Sequence, residues 1–175
     1  ELGYIPNAAA SSLAGRTPKT LGLILPNDSG ELFRNPFFIN TMRGISVYAQ
    51  QHGYFLLYSF SSDEQDEVNF IKNYINSGWI SGVILLTARR NDKCVELLKS
   101  ADFPFVLIGH AEDPLTTNWV DNDNFQAMYQ VVNYLIEKGH KKICFIGGPE
   151  KFRVTQDRYN GYIQALKSRG YTEDK

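Results

Sequence analysis

Cysteine is scarce in this chain: Cys94 and Cys144 are the only two among 175 residues. Their spacing fits neither a Cys-x-x-Cys redox pair nor a zinc ligand set, so no disulfide framework is expected and both thiols should stay reduced as small buried apolar groups. No run of roughly eighteen consecutive apolar residues occurs, and the N-terminal segment lacks the basic-then-apolar order of a signal peptide. A cytoplasmic chain with no membrane partner is therefore expected. Charge of one sign is also missing: 18 Lys+Arg against 19 Asp+Glu leave a net charge of −1, which excludes a strongly basic nucleic-acid-binding domain. A hydrophobic share of 43% with 21% charged residues excludes disorder and collagen-like repeats. Aromatic residues, at 13%, are plentiful, and they supply both core area and flat faces on which sugars or bases stack.

The commoner enzyme signatures are absent as well. There is no Gly-x-Gly-x-x-Gly after a strand, no phosphate-binding Gly-x-x-x-x-Gly-Lys-Ser/Thr, no His-Glu-x-x-His and no Gly-x-Ser-x-Gly. The three histidines, His52, His110 and His140, are scattered, and two of them flank a Gly at the end of a helix, where they suit the helix dipole. No nucleophile, base and orienter set emerges, and nothing calls for a cofactor or metal. The acidic cluster Asp63, Glu64, Asp66 and Glu67 reads as dipole complementarity at a helix start.

What the sequence does carry is a repeating pattern. Leu21-Gly-Leu-Ile-Leu25, Tyr54-Phe-Leu-Leu-Tyr58, Gly82-Val-Ile-Leu-Leu86 and Phe103-Pro-Phe-Val-Leu-Ile108 are short apolar runs that read as strands, the first of them buried. Helical periodicity runs between them: from Phe38 to His52-Gly53, from Ser61-Ser62-Asp63 to Ser77-Gly78, and from Asp92 to Ser100. This alternation indicates an α/β fold built on a parallel sheet with right-handed crossovers. A brief extended stretch at Trp119-Val-Asp121, a helix over Asn124–Lys138, a strand at Ile143–Ile146 and a helix over about Asp157–Arg169 follow. The polar connection near Asn118–Asn124 is the expected subdomain boundary. At the N-terminus, Asn7 would cap a helix of one or two turns, Ala8–Leu13, too short to persist without a partner.

In open α/β sheets ligands collect beyond the carboxyl ends of the strands. Asn35-Pro-Phe-Phe38, in the loop after the first strand, is therefore a candidate binding element. Phe37 or Phe38 could stack on a sugar face while Asn35 offers a hydrogen bond, although either ring could equally be core. His110 stands at the matching end of the fourth strand. Arg158 stands near the expected start of the last helix, where the dipole disfavours a cation; its fork of donors suits adjacent hydroxyls or a carboxylate, and a surface ion pair with Asp157 or Glu150 is the competing reading.

Taken together, Leu2-Gly-Tyr-Ile-Pro-Asn7 with Leu13, Thr20–Leu25, Asn35-Pro-Phe-Phe38, Gly82–Leu85, Val120-Asp121, Gly139-His-Lys-Lys-Ile-Cys-Phe-Ile-Gly-Gly148 and Arg158-x-x-Gly-Tyr162 resemble the LacI/GalR family of bacterial transcriptional regulators. Within it, Val120-Asp-Asn-Asp-Asn124 and Asp157-Arg-Tyr-Asn-Gly-Tyr162 look most like the maltose operon repressors. The resemblance implies a periplasmic-binding-protein-like effector domain of two doubly wound subdomains, a sugar bound between them, a homodimer, and operator DNA as partner. Residues 1–18 would be the hinge helix and linker, 19–121 the first effector subdomain and 122–175 an incomplete second one. Asn7 and Leu13 would belong to the DNA hinge, with Leu13 wedging into the minor groove; Ser11 stands where many members carry an Arg. The effector contacts carried over are Asn35, Phe37, Phe38, Asp63, His110 and Arg158, with a maltose-like sugar as effector. A solute-binding protein for sugar transport is the alternative, which the hinge-like segment argues against. The resemblance also implies that DNA-reading helices precede Glu1 and that the second subdomain continues past Lys175.

Overall fold

A computed structural model describes residues 17–25 and 34–171. The hinge reading at 1–16, with Asn7 and Leu13, and most of the loop after the first strand lie outside the described residues. The chain forms two compact units, one comprising the described residues up to 86 together with 92–106, the other 87–91 with 107–171.

The first unit is the β/α alternation read from the sequence. It contains β1 (Thr20–Leu25), α1 (Pro36–Gln51), β2 (Phe55–Phe60), α2 (Glu64–Ser77), β3 (Gly82–Leu85), α3 (Lys93–Ser100) and the start of β4 (Phe105–Ile108). β1 lies between its neighbours, parallel to β2 with Thr20 opposite Phe55, and parallel to β3 with Leu21 opposite Gly82. Each helix starts on a short polar cap: Asn35, Asp63 and Asp92 accept from the backbone N–H of Phe37, Asp66 and Cys94 respectively. Leu23, Leu25, Ile71, Val83 and Leu98 are fully buried and form its interior. Strand order runs β2-β1-β3-β4-β5, with the order reversing between β1 and β3; ligands of such sheets sit beyond the carboxyl ends of the strands at a switch point of this kind.

In the second unit the end of β4 runs parallel to β5 (Trp119–Val120), Leu107 opposite Trp119. The helices α4 (Asn124–Glu137) and α5 (Arg153–Ser168) pack together around Val132, Tyr162, Ala165 and Leu166. Two expectations are corrected here. Ile143–Ile146 is not a strand: Ile143 and Phe145 pack on the α4–α5 core while Cys144 and Ile146 are exposed, but no ladder partner exists among the described residues, and side-chain alternation alone does not make a strand. The segment is held instead by the Tyr162 hydroxyl, which donates to the Ile143 carbonyl at 2.8 Å. Cys144, expected to be buried, lies on the outward side of that alternation; Cys94 is buried as expected.

The last helix also begins a turn earlier than the sequence suggests, at Arg153 rather than about Asp157. Its N-cap, Phe152, makes no side-chain cap hydrogen bond. The Ala88 carbonyl supplies the missing acceptor, 3.2 Å from the Arg153 N–H, and Arg89 bridges Phe152. A cap provided by a distant segment has no local sequence signal.

Candidate functional site

The candidate residues fall into two groups, one in each unit. In the first unit, Asn35 closes the loop after β1. Its Oδ1 accepts from the Phe37 N–H at 3.0 Å, which commits the amide oxygen to the helix and leaves Nδ2 without a partner among the described residues. Phe37 is 43% exposed and meets the partly buried Phe38 edge-on at 5.4 Å between ring centroids. Phe37 thus offers aromatic surface to a ligand, while Phe38 supports it from the side. Asp63, after β2, is spent as the N-cap of α2, accepting from the Asp66 N–H at 2.9 Å.

The acidic cluster beside it is not uniformly a solvated helix start. Glu67 is only 3% exposed, and its carboxylate accepts from the Ser61 hydroxyl at 3.1 Å and faces the Cys94 thiol at 3.6 Å. Ser61 Oγ also lies 3.0 Å from the Leu25 carbonyl. This buried set joins the ends of β1 and β2 to the start of α3. No cluster of metal-ligating side chains is found among the described residues.

In the second unit the polar groups gather beyond the ends of β4 and β5. Gly109 turns the chain at φ +125°, a conformation L side chains avoid, and a Cβ there would sit 2.7 Å from the Ala88 side chain. The turn delivers His110, whose ring stacks on Trp119 at 4.8 Å and 20°. Its Nδ1–H donates to Asp157 Oδ2 at 3.1 Å, which leaves Nε2 as an acceptor in the neutral ring. Asp157 also lies 4.0 Å from an Arg153 Nη.

Arg158, the next residue on α5, sits in the second turn rather than at the helix start, so the dipole argument for it no longer applies. It pairs with neither Asp157 nor Glu150. Instead its Nε–H donates to Asn124 Oδ1 at 3.0 Å, and the two Nη nitrogens have no partner among the described residues. Two consecutive α5 residues therefore tie this helix to both strand ends, Asp157 through His110 and Arg158 through Asn124. Arg158 and Gly161 lie one helical turn apart on the same face. Gly161 is where α5 touches α4: a Cβ there would fall 2.3 Å from the Phe125 carbonyl oxygen. The Arg-x-x-Gly spacing thus pairs a donor fork with the close approach that lets it reach Asn124.

Sequence reasoning singled out His110 and Arg158 as candidates but not Asp157 as the partner of His110, nor Asn124 as the partner of Arg158. The signal was present in Val120-Asp-Asn-Asp-Asn124, a dense run of short polar side chains at a strand end. Chemically, the second unit offers a planar donor fork and an imidazole, the first an exposed ring and an amide donor. Such sets suit neighbouring hydroxyls on a ring with an apolar face.

A family model described as periplasmic binding proteins and sugar-binding domain of the LacI family matches residues 18–175. The transcriptional regulator MalR of Streptococcus pneumoniae is 40% identical over 174 residues, covering 99% of this chain and 53% of that protein. Among solved structures, a probable maltose operon transcriptional repressor MalR from Staphylococcus aureus superposes with a TM-score of 0.85 at 27% identity, over 91% of this chain and 57% of that one. The transcriptional regulator CelR in complex with cellobiose superposes at 0.79 and 28% identity, over 99% of this chain and 51% of that one. The chain spans about half the length of the curated relatives it matches. These relatives are named as transcriptional regulators rather than enzymes, in keeping with the lack of a nucleophile set. With a family model covering nearly all its residues and a relative at 40% identity, the chain belongs to the family of periplasmic binding proteins and LacI-family sugar-binding domains.

Proposed function

We propose that this chain is the effector-binding part of a sugar-responsive, DNA-binding transcriptional regulator, a repressor of carbohydrate genes whose effector is a maltose-like α-glucoside. The observation that carries the reading is Arg158: a guanidinium anchored through Nε on Asn124, with both Nη groups unclaimed, beyond the carboxyl ends of β4 and β5. Paired sugar hydroxyls both donate and accept, so they suit the Arg158 donors and the His110 imidazole. Phe37 and Phe38, with the Asn35 amide, supply stacking and a further donor, and Asp63 contributes Oδ2, the carboxylate oxygen that does not cap α2. The maltose assignment is supported by the likeness to the MalR proteins.

In this reading residues 1–18 form the hinge and linker, with Asn7 as cap and Leu13 as minor-groove wedge at operator DNA. Residues 19–121 and 122–175 belong to the two effector subdomains. The regulator works as a cytoplasmic homodimer. A sugar that binds one arrangement of the subdomains better than another shifts the population and with it the spacing of the two hinge helices; without that differential affinity there would be no regulation. Calorimetric titration of the intact protein with a sugar panel tests this. Maltose should bind, and Arg158→Ala should abolish binding with the fold intact. Binding of a purine or amine with no heat from any neutral sugar would overturn the ligand class, and unchanged maltose affinity in Arg158→Ala would show that residue to be structural.

A further inference from the structure

Asn124 is a polar residue at the first position of α4, yet it is only 6% exposed. Its Nδ2 faces acceptors alone: Asp121 Oδ1 at 3.0 Å, Asp121 Oδ2 at 3.1 Å and the Asn122 carbonyl at 3.1 Å. An amide in that setting has one possible orientation, since turning it over would point its oxygen at a carboxylate and a carbonyl. The oxygen is therefore held towards α5, where it accepts from Arg158 Nε. Asp121 is itself fixed by the Asn122 N–H, 2.7 Å from Oδ1. The cap of α4 falls to a different residue, Asp123, so neither Asp121 nor Asn124 is consumed by helix capping.

We infer that Asp121 and Asn124 are positioning residues for the effector site: the carboxylate sets the amide, and the amide sets the plane of the Arg158 guanidinium before any ligand arrives. A guanidinium held through Nε keeps its two Nη groups in one plane and cannot swing about its long side chain, so less freedom is lost on binding. The inference rests on the reading of Arg158 as an effector contact. It adds that affinity depends on two residues that touch no effector.

The test is a double-mutant cycle in the intact protein, with maltose as titrant, alongside an NMR measurement of the Arg158 Nε–H that needs no ligand. Asn124→Leu should weaken maltose binding roughly tenfold and should have little further effect once Arg158→Ala is present. In the free protein the Arg158 Nε–H should exchange slowly with water, and Asn124→Leu should abolish that protection. Asp121→Asn, which preserves size while freeing the amide to turn over, should give the same direction of change and serves if Asn124→Leu fails to fold. An Nε–H unaffected by either substitution, or an Asn124→Leu effect of equal size with and without Arg158, would overturn the inference. If Arg158→Ala leaves maltose binding unchanged, or maltose does not bind at all, the effector-site reading fails, while the Nε–H measurement still decides whether Asn124 positions Arg158.

Discussion

Replacing Gly161 with alanine probes the contact on which the second unit's site is built. In a free helix the change would be favourable by about 1 kcal/mol, because glycine has the larger conformational entropy to lose. Here the added Cβ would stand 2.3 Å from the Phe125 carbonyl oxygen, 3.1 Å from its carbon and 3.2 Å from the Tyr129 nitrogen. An ordinary carbon–oxygen contact is about 3.3 Å, so α5 must draw back from α4 by about 1 Å. The atom met is backbone within a helix, which cannot rotate aside. Overpacking of this kind costs about 1–3 kcal/mol, which offsets or exceeds the propensity gain and leaves a net loss of up to ~2 kcal/mol. The same displacement lengthens the 3.0 Å bond between Arg158 and Asn124 beyond hydrogen-bonding range. Urea unfolding followed by circular dichroism should show a lower midpoint, and calorimetry a weaker sugar affinity. A variant stabilised by about 1 kcal/mol with unchanged affinity would refute the packing argument.

Gly44 provides the contrast, since a Cβ on this exposed α1 position meets nothing within 4 Å; Gly44→Ala should raise stability by about 0.5–1 kcal/mol, and any loss in the same urea assay would show that the position is not open. Asp92 caps α3 through Oδ1, 2.9 Å from the Cys94 N–H and 3.3 Å from that of Val95, so Asp92→Ala should cost about 1 kcal/mol, visible as a lower melting temperature; an unchanged value would deny the cap. Burial pushes the Tyr74 phenol above its ordinary value of 10.0, with a hydrogen bond to Ser59 lowering it in part. Because the folded-state value is the higher one, the neutral phenol's contribution is complete below about pH 10 and is lost as pH rises through the raised folded value. Stability should therefore fall in that alkaline window, and more steeply than in Tyr74→Phe; identical pH profiles would contradict the assignment.

Much of the first unit was legible because its signals are local. Strands of four to six apolar residues, helical spacing between them and an Asn or Asp cap at each helix start all act within a few residues. The failures share one physical cause, a dependence on tertiary partners that local patterning does not report. α5 begins at Arg153 because the Ala88 carbonyl receives its first N–H, and no cap residue marks the place. Ile143–Ile146 alternates like a strand, yet a strand also needs a ladder, which alternation cannot report. Glu67 looks like one more acid at a helix start, whereas Ser61 and Cys94, six and twenty-seven residues away, meet its carboxylate in the interior. In the site, His110 and Arg158 stood out by residue type and by position at strand ends. Asp157 and Asn124 did not, because their value lies in orienting a neighbour.

The most direct measurement of the proposed function is the affinity of the intact protein for the operator DNA it would bind, read by fluorescence anisotropy with and without saturating maltose. Coupling between effector and DNA sites is typically 5–150-fold. A maltose-dependent shift of that order, absent from Arg158→Ala, is the predicted result. Maltose binding that leaves operator affinity unchanged would contradict the account and point instead to a protein that carries sugar without regulating transcription.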